Sequence, residues 1–91
     1  MTNKSASKED PAFVCQHVFT NERPVLAVSR EDGDWQFVCG KRDHLDRTPR
    51  VVGLNHLFEN DTSLNQIRDL PIDWEADRDS VEGAWRRRRV K

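Results

Sequence analysis

Two short motifs in this sequence combine residue types that bind metals, Cys15-x-His17 and Cys39-x₄-His44. Two thiolates and two imidazoles are the ligand set of a structural zinc site, which is tetrahedral and is built from sulfur and nitrogen donors. If Cys15 and His17 lie on a strand, both side chains face the same side and can hold one ion together. These four residues are therefore the candidate ligands of a zinc ion, while the expectation that the sequence favours is a protein without a cofactor.

Three other interpretations of these residues stay open. The first has both cysteines as small core residues and both histidines in solvent. The second is a disulfide between Cys15 and Cys39, which a reducing compartment disfavours. The third is a catalytic Cys/His pair, which requires an exposed, electropositive thiol with a base in reach. Because Cys39 is predicted to point into the core, we expect no enzymatic activity.

The dipeptide Asp32-Gly33 carries the strongest structural signal in the chain and positions Cys39. An Asp-Gly pair between two alternating apolar runs is typical of a two-residue hairpin loop, because both loop residues must adopt positive φ. A slip of one residue would turn the whole apolar set to water, so the register should be firmly fixed. The expected pairs on the core face are Arg30 with Trp35, with the guanidinium over the ring, then Val28 with Phe37 and Leu26 with Cys39.

The remaining periodicity predicts a small α+β fold. Residues 13–20 alternate as a strand does, with a short helix as the alternative. Residues 54–70 carry apolar positions at helical spacing, with Asp61 or Thr62 as a cap between two short helices and Pro71 as the stop. Residues 72–77 alternate again and predict a half-exposed final strand. We therefore expect a small antiparallel sheet with a central hairpin, packed against one or two short helices.

The composition favours a small protein with a heavily solvated surface. The chain has 91 residues, of which 34% are charged and 35% hydrophobic, and a chain of this length forms one domain with a modest core. No run approaches the ~20 apolar residues of a membrane span, and the start of the chain lacks the apolar stretch of a signal peptide. We therefore expect a cytoplasmic protein without membrane contact. The predicted divisions are a disordered leader (1–11), a single α+β domain (12–79) and a basic C-terminal tail (80–91).

The net charge of −1 conceals an uneven distribution. Five of the 15 basic residues lie in residues 86–91, so the rest of the chain carries 10 basic against 16 acidic residues. An acidic surface suits a basic protein partner, whereas a basic run beside an aromatic residue is typical of phosphate contact. The acids also offer the oxygen donors that a hard cation prefers, or form an ordinary solvated face. The candidate partner-binding residues are Asp73, Glu75 and Asp77, and the candidate nucleic-acid-binding residues are Arg86, Arg87, Arg88 and Arg89.

The run Gly33-Asp34-Trp35-Gln36-Phe37-Val38-Cys39-Gly40, with scattered matches over roughly residues 13–79, resembles a family of small bacterial domains. That family carries an Asp-Ser-Gly-Trp-x-Phe-x-x-Gly strand and is grouped with the immunity proteins of polymorphic toxin systems. This chain has Glu31-Asp32 in place of Asp-Ser, and a shorter hairpin. The resemblance implies a small α+β domain with a protein partner. We therefore expect a non-enzymatic, immunity-like bacterial interaction module; the alternative is a small zinc-stabilised protein that contacts nucleic acid through its arginine-rich tail.

Overall fold

A computed structural model describes residues 10–41 and 48–91 of the chain. The elements are β1 (Pro11–Val14), α1 (Gln16–Phe19), β2 (Ala27–Ser29), β3 (Trp35–Val38), β4 (Arg50–Gly53), α2 (Leu54–Asn60), a 3₁₀ helix (Thr62–Ile67), β5 (Trp74–Asp77) and β6 (Arg86–Arg89). Within these residues the six strands form one sheet in the spatial order β4-β1-β3-β2-β5-β6. The predicted α+β class, with a small sheet and short helices, is confirmed.

The central β2–β3 hairpin has the predicted loop. Asp32 and Gly33 have φ angles of +56° and +91°, as a two-residue loop of this hand requires. The Asp34 N–H donates to the Glu31 carbonyl at 3.0 Å and closes the turn. The register is also the predicted one, with Ala27 opposite Val38, Val28 opposite Phe37 and Ser29 opposite Gln36.

The inward face of the hairpin forms the middle of the core. Trp35 is 8% exposed and Phe37 is fully buried. The Phe58 ring of α2 meets both in edge-to-face contacts with centroids 6.0 Å apart, a geometry that aromatic rings favour. The Arg30 guanidinium lies 4.6 Å from the centre of the Trp35 ring, as predicted.

The start of β2 differs from the predicted pairing on the core face. Leu26 is only half-buried, whereas Val25 is 4% exposed. Regular pairing with β3 begins at Ala27, so strict alternation does not extend back to Leu26. Val25 therefore occupies the core in place of Leu26, and Cys39 is buried without Leu26 as its inward partner.

The predicted strand over residues 13–20 is wrong in its second half. β1 ends at Val14, and one helical turn, α1, follows. This turn buries Val18 and leaves Phe19 50% exposed, so Val18 lies on the buried side together with Val14 although the chain is helical there. β1 runs parallel to β3, with Val14 opposite Phe37. The sheet is therefore mixed, although its other pairings are antiparallel.

The segment after β4 follows the predicted pattern of two short helices. α2 ends before Asp61, whose carboxylate accepts a hydrogen bond from the Ser63 N–H at 3.0 Å and caps the 3₁₀ helix, as capping residues do. The helices and the sheet enclose one core, whose largest fully buried side chains are Phe37, Leu64, Ile67, Leu70, Val14, Val28 and Cys39.

The predicted basic tail differs most from the structure. Arg86–Arg89 forms β6, which pairs antiparallel with β5 at the edge of the sheet, so these residues continue the sheet beyond the expected boundary at residue 80. The neighbouring strand supplies Glu75 and Asp77 opposite two of the arginines, and these acids pair with Arg88 and Arg86. Trp85, half-buried just before β6, packs against the core.

The predicted leader, residues 1–11, falls mainly outside the described residues, and its last residue, Pro11, begins β1. His44 also falls outside them. Across the part of the chain that the structure describes, none of the helices has the length and apolar character needed to cross a membrane.

Candidate metal centre

Three of the four predicted metal ligands lie side by side in the structure. One ligand atom each from Cys15, His17 and Cys39 lies within 4.8 Å of the other two. Cys39 Sγ and His17 Nδ1 are 3.9 Å apart, and both cysteines are free thiols. Cys39 is distant in sequence from Cys15 and His17, so the fold creates this cluster.

The parallel pairing of β1 with β3 explains the convergence. In a parallel pair the carboxyl ends of both strands lie at the same edge. Cys15 directly follows β1 and Cys39 directly follows β3, so this edge holds both sulfurs. α1 then turns the chain back, and its second residue, His17, reaches the same place. The sequence analysis expected Cys15 and His17 to meet through alternation along a strand. In the structure they meet because the chain turns into α1 after β1.

The spacing of the cluster fits a tetrahedral zinc site. With Zn–S near 2.3 Å and Zn–N near 2.0–2.1 Å, tetrahedral geometry puts ligand atoms about 3.5–3.8 Å apart. The distance of 3.9 Å between Cys39 Sγ and His17 Nδ1 is close to this value. Cys39 is 1% exposed, while Cys15 and His17 are partly exposed. Because the three ligand atoms lie within 4.8 Å of one another, they would have to move somewhat closer together to surround one ion.

Arg23 is a fourth member of the cluster that the sequence did not indicate. Its Nη1 donates to Cys39 Sγ at 3.8 Å and lies 3.5 Å from His17 Nδ1. Hydrogen bonds to ligand atoms orient them and tune the metal. Arg23 lies in the turn before β2, and its position beside Cys39 is a consequence of tertiary structure. Its spacing from Cys15 and Cys39 carries no recognisable motif.

Gly40 directly follows Cys39 and changes the direction of the chain. Its φ of +79° is in the left-handed region, which glycine adopts without the steric cost of a side chain. The chain therefore turns immediately after Cys39. His44 lies four residues further on, outside the described residues.

The predicted acidic face does not stand open to a partner. Glu75 accepts a hydrogen bond from Arg88 Nε, and Asp77 accepts one from Arg86 Nε at 3.2 Å. Asp73 precedes β5, and its carboxylate accepts the Asp32 N–H at 2.8 Å in the hairpin turn. The three acids therefore serve internal contacts.

Three of the four predicted nucleic-acid-binding arginines, Arg86, Arg87 and Arg88, pair with acids. The hydrogen bond from Arg86 lowers the pKa of the Asp77 carboxyl below its ordinary value, and a second bond from Arg88 adds to this effect. Arg86 likewise lowers the pKa of Asp79 through its hydrogen bond. On the opposite face of β6, Arg87 pairs with Asp69 at 2.8 Å. The exposed carboxylates thus occupy sites that phosphates would need.

A buried arginine outside these sets was missed by the sequence analysis. The Arg78 side chain has no solvent exposure. It donates from Nε and Nη2 to the Val25 carbonyl at 3.1 and 2.9 Å, and from Nη1 to Ser63 Oγ at 2.8 Å. Burial lowers the pKa of Arg78, and the nearby Asp61 carboxylate opposes that shift. The guanidinium lies 4.3 Å from the Trp85 ring centre, so Arg78 connects β5 to the start of β2, the 3₁₀ helix and the approach to β6.

Comparisons with known proteins give no match, whether to a protein-family profile, to a curated protein or to a solved structure. The resemblance to immunity-related bacterial domains therefore stays a prediction. The functional argument rests on the residues of this chain.

Proposed function

We propose that this protein is a small zinc-stabilised, non-enzymatic interaction module. Cys15, His17 and Cys39 supply three ligands, and His44 is the proposed fourth. The observation that carries the proposal is the meeting of three ligand atoms, two from the start of α1 and one from the end of β3, within 4.8 Å. Two sulfurs and an imidazole nitrogen form a donor set that suits zinc better than magnesium or calcium, which prefer oxygen.

His44 is within reach of the site by chain length alone. His44 lies five positions after Cys39, and such a stretch spans up to roughly 17 Å when extended. The left-handed turn at Gly40 gives the chain a sharp change of direction at the outset. Four protein ligands would close the coordination sphere, which is the mark of a structural site rather than a catalytic one.

Zinc at this position would join the ends of two central strands to α1 and to the segment after Gly40. A chain of 91 residues has a modest core, and small domains often gain folding free energy from a metal. Arg23 would keep its hydrogen bond to Cys39 Sγ while the metal took His17 Nδ1. The proposed contribution of zinc is therefore rigidity of this end of the sheet.

The proposed partner of the module is a protein. The ion pairs of β6 favour a structural role for Arg86–Arg89, because nucleic acid would have to displace a carboxylate from each of Arg86, Arg87 and Arg88. A basic protein docking on Glu75 and Asp77 would meet the same competition from β6. The zinc site is therefore the main part of the proposal, and immunity-like binding of a protein partner is its second part.

Metal analysis of protein purified without chelator tests the zinc proposal. We expect one zinc per chain, lost in Cys15→Ser, His17→Ala and Cys39→Ser, and a lower melting temperature after chelation. Cobalt substitution should give the intense near-ultraviolet absorption of sulfur-to-metal charge transfer. His44→Ala should weaken binding, while His56→Ala is the matched control, because His56 is an exposed histidine on α2. Metal-free protein whose melting temperature ignores chelator contradicts the proposal.

A further inference from the structure

The two sulfurs of the cluster have unequal access to solvent. Cys39 is 1% exposed, whereas Cys15 is partly exposed at the junction of β1 and α1. Their Sγ atoms lie within 4.8 Å of each other, and both are free thiols. One thiol is thus partly open to solvent, and the other is buried within 4.8 Å of it.

We infer that Cys15 and Cys39 are a peroxide-reactive dithiol pair, in which Cys15 is oxidised first and Cys39 then closes a disulfide. Disulfide formation would also release a bound zinc ion, and this part of the inference rests on the proposed function. The disulfide itself requires only the two thiols.

The backbone geometry permits this bond without rearranging the sheet. Val14 and Phe37 are direct Cα partners across parallel strands, so Cys15 and Cys39 follow one and two residues later. With strands ~4.8 Å apart and a rise of ~3.3 Å per residue, this offset gives a Cα separation of about 6 Å. Disulfides span roughly 4.4–6.8 Å between Cα atoms. Rotation of the two side chains therefore brings the sulfurs into bonding distance.

The chemistry balances with hydrogen peroxide as the oxidant. The Cys15 thiolate attacks one peroxide oxygen, and the O–O bond breaks. Hydroxide is released, and Cys15 becomes a sulfenic acid. Cys39 sulfur then attacks Cys15 sulfur, the S–O bond breaks, and a second hydroxide leaves. The two thiol protons convert both hydroxides to water. Two thiols and one peroxide therefore give one disulfide and two waters.

Metal binding and disulfide formation exclude each other because both use the same sulfurs. A thiolate is the metal ligand, and a disulfide sulfur no longer offers it. Reduction by a dithiol restores both sulfurs. The pair therefore couples the redox state of the surroundings to the rigidity of this end of the sheet.

Stoichiometric peroxide treatment of zinc-free and zinc-loaded protein tests the inference. In the zinc-free protein we expect both thiols to disappear together, the intact mass to fall by two hydrogens, and the chain to remain uncrosslinked to other copies. Dithiothreitol should reverse all three changes. In the zinc-loaded protein one zinc should be released for each disulfide formed.

Single variants identify the order of the two steps. Cys39→Ser should leave a Cys15 sulfenic acid that dimedone traps, and Cys15→Ser should slow oxidation of the remaining thiol at least tenfold. Circular dichroism checks that each variant is folded. Independent oxidation of the two thiols, crosslinked dimers, or thiols that do not react overturn the inference even if zinc binds. A disulfide in a protein that binds no zinc keeps the dithiol pair and overturns only the metal proposal.

Discussion

Strands β3 and β6 are equal in length and belong to the same sheet, yet they are stabilised in opposite ways. In β3, Trp35 and Phe37 are buried and alternate with more exposed residues. In β6, all of Arg86–Arg89 is exposed. β3 is held by the apolar side chains that it removes from water, whereas β6 is held by backbone pairing and by carboxylates on its neighbours. A strand can therefore form from its own pattern or from the charges beside it.

Arginine residues occur in this molecule both fully buried and in exposed ion pairs. Arg78 is fully buried and donates to backbone and side-chain acceptors. Arg86 and Arg88 keep roughly half of their side-chain surface exposed while pairing with acids. A buried guanidinium that loses its acceptors costs a full desolvation penalty, whereas exposed ion pairs are screened by water and salt. The two settings should respond very differently to substitution.

The largest effect is expected in the core of β3. Trp35→Ala should lower the free energy of unfolding by about 3–5 kcal/mol, because it removes an aromatic side chain packed between Phe58, Phe37 and the Arg30 guanidinium. Denaturant unfolding measures the change. Gln36→Ala, an exposed position on the same strand, is the matched control and should shift stability by no more than ~0.5 kcal/mol. Equal effects at both positions would remove the distinction drawn for β3.

The hairpin could be predicted from sequence because its signals are local. The loop at Asp32-Gly33 and the alternation around it fix both the turn and the register within about a dozen residues. The same holds for Asp61 as a helix cap and for the helical spacing that follows it. These features depend on neighbours along the chain, and the structure confirms them.

The sequence identified the residues of the metal cluster but not the strand pairing that brings them together. Residue type alone selected Cys15, His17 and Cys39. Their meeting depends on the parallel pairing of β1 with β3, which no local pattern specifies. The roles of Arg23 and Arg78 were missed for the same reason, since their acceptors are distant in sequence. β6 was missed because a run of four arginines lacks apolar alternation, and its partners lie on another strand.

An intermediate effect is expected at Arg78. Arg78→Met keeps much of the side-chain volume but leaves the Val25 carbonyl and Ser63 without their donor, so we expect a loss of about 2–4 kcal/mol. Arg89→Met, an exposed arginine on β6, is the control and should change stability little. Chemical denaturation of both variants gives the comparison. If Arg78→Met and Arg89→Met change the free energy of unfolding equally, the hydrogen bonds of the buried guanidinium do not stabilise the fold.

The smallest effect is expected in the ion pairs between β5 and β6. The double variant Glu75→Gln with Asp77→Asn removes the carboxylates opposite Arg88 and Arg86, and should lower the melting temperature by about 1–4 °C at low ionic strength. Glu59→Gln, an exposed acid on α2, is the control. In 1 M salt, where the Debye length falls to ~3 Å, the difference should shrink.

Acid should also lower the stability of the wild-type protein, because protonation of Asp77 removes its ion pairs with Arg86 and Arg88. The folded-state pKa of Asp77 is lowered by Arg86 and Arg88, so its carboxylate contributes stability above the unfolded pKa of ~3.9 and loses it as the pH falls through the folded value. Asp69 and Asp79 shift in the same direction. The protection of β5 amides, relative to their intrinsic exchange rate at each pH, should therefore fall below about pH 4 while that of β3 is kept, and the double variant should respond less. Exchange that rises together in β3 and β5 would mean that β6 is held as firmly as the core, and that its arginines matter for more than the edge of the sheet.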